Sequence, residues 1–430
     1  MSESVEFQIE DQEFRLKPDH ELRFEVENKN ETVVLELKTG LAEIFGTELV
    51  KSKPYKFYFG AKIAVFTWQG CSLRLLGKKG ISYISKETPM MSYLNCHASL
   101  EQLRTKSEEE KVRGPITMVV GPTDVGKSTL CRILLNYSTR MNDLGRRPIY
   151  VDLSPGQGQI SVPGTIGAVM VERPAEVDAS FSQAAPLVYH FGHTKIGINS
   201  TLYNILISHM AEVIHQQMDE NPRINYPGLI INTFGWIKGK GYQHLTHIAL
   251  AFEVDVILVL DEERLYNKLV RDMPGFVKVV LLPKRRGVVQ RRNKFKLEGR
   301  EARIREFFYG SPRNVLHPHT CLVRFSDIKV YRILAPPIPN ALMSLDTQKT
   351  DFKPKLEGVT PGLNMMHHVL ALSFSTTVEE DVVRNSVAGF VCVTNVDTSQ
   401  QMLTLLSPQP KPLPETIYHM SDVQFIDNNA

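Results

Sequence analysis

Cysteine is scarce: five in 430 residues (Cys71, Cys96, Cys131, Cys321 and Cys392), odd in number and widely scattered. They form neither a disulfide framework nor a C-x-x-C metal site, which favours a reducing compartment. No run of about 18 apolar residues occurs, as a membrane helix would need. The start, MSESVEFQIEDQEF, is acidic and has no apolar stretch that reads as a secretory signal. The expectation is a soluble intracellular chain with no membrane partner. There is no internal repeat, and 42% hydrophobic with 23% charged residues excludes a mostly disordered or fibrous chain. At roughly 100–200 residues per domain, the length allows two to four domains.

Net charge is nearly absent, with 50 Lys and Arg against 47 Asp and Glu. The near-neutral total hides an uneven distribution. Residues 284–305 carry ten basic side chains, among them Lys284, Arg291, Lys296, Arg300 and Arg303, against only Glu298 and Glu301. Such a stretch is either a solvated face or a surface that meets phosphates.

Three regions separate on pattern. Residues 1–98 read as short alternating strands punctuated by turns (ELRFEVE, TVVLELKTG, AKIAVFTW, CSLRLLG), the pattern of a small β-sandwich or barrel. A polar helical linker is expected over 99–114. From 115 to 310, apolar runs (116–120, 148–153, 228–234, 255–261, 277–283) alternate with helix-length segments at 127–140, 200–219, 241–253 and 262–272. Runs that are apolar throughout suit a parallel sheet covered on both faces. Strand patterns return over 311–430, a C-terminal β domain. The fold class is therefore an α/β P-loop kinase-like core between two β domains, with a basic lid at 284–305.

The strong motif is Gly121-Pro122-Thr123-Asp124-Val125-Gly126-Lys127-Ser128, a GxxxxGK[ST] between an apolar strand and a helix-compatible run. Its glycines let backbone N–H groups turn inward onto phosphate oxygens, and the helix start adds its positive dipole end. Lys127 is expected at the β- and γ-phosphates and Ser128 on Mg2+. The chain is thus expected to bind a nucleoside triphosphate. A guanine-specific N-K-x-D is missing, since Asn267-Lys268 and Asn293-Lys294 are not followed by Asp. Asp152 and Asp261, each at the end of an apolar run, are candidates for a second acid at the metal. The basic stretch follows the last of these runs, where nucleotide kinases carry a lid whose cations steady the transferring phosphoryl group. Trp236, in the loop Asn232-Thr233-Phe234-Gly235-Trp236, is either a base-stacking platform or a core aromatic, whereas Trp68 reads as core.

AEIFGTEL, VVGPTDVGKSTLCRILLNY, GQGQISVPGTIGA, PLVYHFGHT, INTFGWIKGKGYQ and ILVLDEERLY together resemble the eukaryotic Clp-type polyribonucleotide 5'-hydroxyl-kinases, along almost the whole chain. That family also supplies a subunit of cleavage factor II in pre-mRNA 3'-end processing. The resemblance implies ATP and Mg2+ as ligands, a nuclear location, the large scaffold subunit of cleavage factor II as partner, and RNA. It implies nucleotide contacts at Glu21, Lys62, Gly121 and Asp124, Val125, Gly126, Lys127, Ser128 and Thr129. Gln157 and Trp236 would face substrate, and Lys127, Asp152, Arg291 and Lys296 would be catalytic. The family pattern E/D-x-D-x-G-Q, whose second Asp is the general base, here reads Asp152-Leu153-Ser154-Pro155-Gly156-Gln157. A serine has no useful basicity near neutral pH, and a positioned base is worth ~10²–10⁴-fold. Strand alternation puts Asp152 on the same face as Ser154, set back along the strand, from where it would reach a substrate only through water. The expectation is an ATP-binding subunit of the cleavage and polyadenylation machinery, required for the endonucleolytic step. The alternative is an active RNA 5'-hydroxyl kinase; a generic ATPase motor lacks any coupling motif.

Overall fold

The computed structural model describes residues 11–28, 31–77, 80–141, 145–177, 181, 185–284, 293–311, 314–334 and 354–427. Its N-terminal part is a sandwich of two antiparallel sheets. One orders Asp11–Leu16, Cys71–Leu76, Val33–Gly40 and Pro54–Phe57; the other orders Thr47–Glu48, Glu43–Ile44, Lys62–Thr67, His20–Glu25 and Ser82–Ser85. Alternation makes the core: Val33, Leu35 and Leu37 turn inward from one strand and meet Leu22, Phe24 and Val65 from the facing sheet. The linker is a helix, Met90–Glu110, which begins nine residues before the expected start at residue 99. MMSYLN looks apolar enough for a strand end, but Met90 and Tyr93 are buried on the helix's inner side.

The central sheet runs Leu187–His190, Thr165–Met170, Ile149–Asp152, Leu229–Asn232, Ile116–Val120, Val256–Leu260 and Lys278–Leu282. Five of these strands are parallel, as their unbroken apolar runs imply. The first two, which lie outside the five expected runs, pair antiparallel at one edge and make the sheet mixed. The strand Ile116–Val120 is buried along its length. Ile116, Met118 and Val120 face the helices Ser200–Glu220 and Lys240–Ala251, whereas Val119 faces the helix Lys127–Thr139. At the opposite edge Lys278–Leu282 is not fully covered: Val280 and Leu281 both remain exposed.

A seven-stranded mixed sheet forms the C-terminal part, in the order His319–Arg324, Met402–Ser407, Val387–Asp397, His368–Ser373, Ile417–Gln424, Lys329–Leu334 and Lys355–Gly358. One apolar cluster ties the parts together. From Leu130 and Leu134 it continues into Tyr93 and Leu100 of the linker helix, Phe66 of the sandwich, and Val369, Phe390 and Phe425 of the C-terminal sheet.

Candidate functional site

The strand Ile116–Val120 delivers Gly121 to the loop, and Gly126 enters the helix Lys127–Thr139 in the left-handed region at φ 95°. Only glycine adopts that backbone without strain. Asp124 also stands at positive φ, so the chain turns sharply between the strand and the helix. Lys127 is only 8% exposed. Its ammonium donates to the carbonyls of Gly121 (2.9 Å) and Pro122 (2.7 Å). Burial brings its pKa down to about 8, against a smaller opposing influence from Asp124.

A cavity of about 310 Å3 opens over this loop, walled by Val125, Gly126, Lys127, Ser128 and Thr129 on one side and by the N-terminal sandwich on the other. Lys62 lies on the sandwich wall. It pairs with Glu25 at 2.5 Å, because the two residues are direct cross-strand partners in the antiparallel register. Glu21, by contrast, is fully buried and is not part of the cavity lining. It holds Arg23, whose Nε donates to Glu21 Oε1 at 2.7 Å, and Arg23 lines the cavity beside Tyr83. Glu21 therefore acts on this cavity through Arg23. Arg23, Phe45, Tyr83, Tyr93 and Arg132 also line it and had no motif to mark them; the alternation that puts Arg23 on the same strand face as Glu21 was the available signal.

A second cavity, of about 600 Å3, adjoins the first. Thr123, Ser154, Gln157, Gln159 and Gly235 belong to both walls. Gly235 permits this crowding, since a Cβ there would fall 2.6 Å from the backbone nitrogen of Thr123. Trp236 lies on the second cavity, 40% exposed, beyond the buried Phe234. The base-stacking placement is thus available to it, and core burial is not what the fold gives it. Trp68 is partly buried, edge-on to Phe66.

Asp152 departs from the expected geometry. Its strand ends at Asp152 and the chain turns, so Asp152 and Ser154 do not share a strand face. Asp152 is 3% exposed and lines neither cavity. Its carboxylate accepts from Asn232 Nδ2 (2.8 Å) and from the backbone N–H groups of Ser154 and Gln159 (both 3.2 Å). Burial raises its pKa to about 6 despite these donors. Asp152 thus holds the 154–159 turn in place, and Ser154 is the residue at the wall. Asp261 pairs with Lys284 at 2.5 Å and lines neither cavity, so nothing places it at a metal.

Of the basic lid, residues 285–292, Arg291 among them, lie outside the described residues. From residue 293 onward the lid is the helix Asn293–Tyr309, which reaches all parts of the site. Phe295 stacks on Phe59 of the sandwich (centroids 6.3 Å apart), Lys296 pairs with Asp124 at 2.9 Å, and Arg300 Nε donates to Gly156 O at 2.7 Å. The lid thus bridges both cavities. Among the described residues no group of three or more His, Cys, Asp or Glu is placed to hold a metal, and no helix is long and apolar enough to cross a membrane.

Comparison with known proteins accounts for the whole arrangement. Family models match residues 15–107 (N-terminal β-sandwich domain of polyadenylation factor), 121–310 (P-loop of the mRNA cleavage and polyadenylation factor CLP1) and 316–427 (pre-mRNA cleavage complex II protein Clp1). The chain is 54% identical to a CLP1 homolog of Anopheles gambiae and 53% to one of Aedes aegypti, in each case over 97% of this chain and 98% of the relative. The fold matches Clp1p solved in complex with a segment of Pcf11p, with a TM-score of 0.84 at 22% identity, covering 97% of this chain and 99% of that one. A second Clp1p–Pcf11p structure, concerned with ATP loss in a glycine-to-arginine mutant, matches with the same score at 23% identity. Sandwich, P-loop core and C-terminal sheet, matched end to end, make this chain a member of the CLP1 family of mRNA cleavage and polyadenylation factors.

Proposed function

We propose that the chain is the ATP-binding subunit of the pre-mRNA cleavage complex II, working in the nucleus as a nucleotide-locked platform for a Pcf11p-like scaffold. The observation that carries this is the double wall of the first cavity: P-loop residues on one side, Lys62, Arg23 and Tyr83 of the sandwich on the other. A triphosphate held there touches both parts and resists their separation. At 100 times its dissociation constant a bound nucleotide stabilises the folded chain by ~2.7 kcal/mol. Gly121 to Thr129 would cradle the phosphates, with Lys127 turning from the loop carbonyls to the anion. Mg2+ would be held by the Ser128 hydroxyl together with the nucleotide's own oxygens, a donor set that suits a hard cation bound through substrate. Ser154 adds only a neutral oxygen where the family pattern has a carboxylate. To test the platform, ATP binding by calorimetry and capture of the Pcf11p segment are compared for wild type and Lys127→Ala. Both should weaken together; scaffold capture unchanged in a variant that no longer binds ATP would overturn the platform.

The adjoining second cavity, with Trp236 and Gln157 on its wall, favours a second reading in which the chain acts on an RNA 5' end. With Ser154 at the reacting position, wild type should transfer little or no label from ATP to a 5'-hydroxyl oligoribonucleotide, and Ser154→Asp should transfer more. Robust transfer by wild type would make the chain an active kinase.

A further inference from the structure

The second cavity is built for an anion. Lys195, Lys296, Arg300 and Arg303 line it, and none of its lining residues is Asp or Glu. Two of these cations already have a carboxylate: Lys296 pairs with Asp124 and Arg303 with Glu306. Arg300 differs. It donates to a neutral acceptor, the Gly156 carbonyl, and burial alone accounts for the lowering of its pKa, with no carboxylate offsetting it. Among the described residues no carboxylate pairs with it; a half-buried guanidinium so placed is costly unless an anion completes the site, and its planar fork suits phosphate.

Ser154 stands on the wall common to both cavities. A carboxylate there can take a proton from a 5'-hydroxyl, but it repels a phosphate dianion. A serine hydroxyl does the reverse, having no basicity to offer and an O–H to donate. Asp152 does not restore the charge, because its carboxylate is spent on Asn232, Ser154 N and Gln159 N and lies behind the wall. Beside the cations the exposed ring of Trp236 offers a face for a base.

We propose that this cavity receives the 5'-phosphorylated end of an RNA strand, with Arg300 and Ser154 on the terminal phosphate and Trp236 against the terminal base, and discriminates against a 5'-hydroxyl end. The proposal rests on the reading of the chain as an RNA-processing CLP1 protein. A nucleoside 5'-monophosphate presents the same chemistry. The wall that this cavity shares with the nucleotide cavity, and the exposed ring of Trp236 beyond it, give a strand a course past the terminal phosphate and favour the strand end.

The test is fluorescence anisotropy on the full chain with two 3'-labelled oligoribonucleotides of one sequence, ending in 5'-phosphate or 5'-hydroxyl, in the presence of ADP. The 5'-phosphate strand should bind at least tenfold more tightly. Ser154→Asp and Arg300→Gln should bring that ratio towards one, in variants whose melting temperature matches wild type. Trp236→Ala should weaken both strands and keep the ratio. Equal affinity of the two strands for wild type, binding of neither, or displacement of the strand by AMP at an equal concentration would overturn the proposal. ATP calorimetry and scaffold capture report on the first cavity whichever RNA end the second one takes, so their success beside a failed discrimination would remove this inference and leave the platform standing.

Discussion

At the scale of single residues, burial sets the chemistry of the two most informative side chains. Lys127 has its pKa lowered to about 8 because its ammonium is enclosed by the loop. A bound phosphate would hold it charged, so above that pH binding must recover a proton. Affinity for ADP, measured by calorimetry without divalent cation, should therefore fall by up to about tenfold per pH unit above pH 8. Lys127→Met should bind weakly with no such slope; an equal slope in that variant would assign the titration elsewhere. Asp152 shifts the other way. Its folded pKa of about 6 lies above the ordinary 3.8, so between those pH values the folded chain keeps a proton that the unfolded chain has released. The resulting stabilisation is complete below about pH 3.8 and is lost as pH rises through about 6, amounting to about 3 kcal/mol. Wild type should gain stability relative to Asp152→Asn on acidification from pH 7 to pH 5, read from melting temperatures; a relative loss, or no change, would refute the shift. The motif made Lys127 legible in the sequence. Asp152 was legible as a residue and misplaced in role, since strand alternation continues only while the strand does, and this one stops at Asp152 itself.

Among the elements, the lid helix Asn293–Tyr309 does most to join the site. Its charge was plain in the sequence, but its partners were not, because Phe59, Asp124 and Gly156 are remote in the chain. The Phe59–Phe295 stack ties the lid to the sandwich. Aromatic pairs contribute about 0.5–1.5 kcal/mol beyond area burial, which corresponds to about two- to tenfold in a rate or an equilibrium. Phe295→Ala should release a fluorescent ATP analogue that much faster in stopped flow, with the melting temperature nearly unchanged. An unaltered release rate would mean that the aromatic pair plays no part in holding the lid.

At the scale of the whole molecule, one of the apolar clusters runs through all three parts. Phe308 of the lid helix stacks on Phe425 of the C-terminal sheet with centroids 6.1 Å apart, and Phe307 meets Phe390 edge-on at 5.4 Å. His190 of the central sheet stacks on His419 at 5.4 Å, and the backbone N–H of Asp422 donates to Gly192 O. Fully burying a large apolar side chain is worth about 1.5–3 kcal/mol, so uncovering several at once approaches the whole stability of a domain. A chain ending at residue 311 should aggregate or lack a cooperative melt by circular dichroism, and intact protein should show one calorimetric transition for the central and C-terminal parts together. A soluble truncation that melts cooperatively near the wild-type temperature would show these parts to be independent.

The amino-acid sequence by itself determined what depends on neighbours along the chain: the glycine-lysine loop, the period-2 strands of the sandwich, the unbroken apolar strands of the core, and the serine at position 154. These are local in origin, because backbone freedom, side-chain alternation and proton affinity are properties of a residue and its near neighbours. Tertiary structure alone decided which distant groups meet. It set Glu21 behind Arg23 and not on the cavity wall, added two antiparallel strands to one sheet edge, turned Asp152 inward, and left Arg300 facing a cavity with no carboxylate. Such pairings follow from how whole faces pack, and packing selects shape across the entire chain.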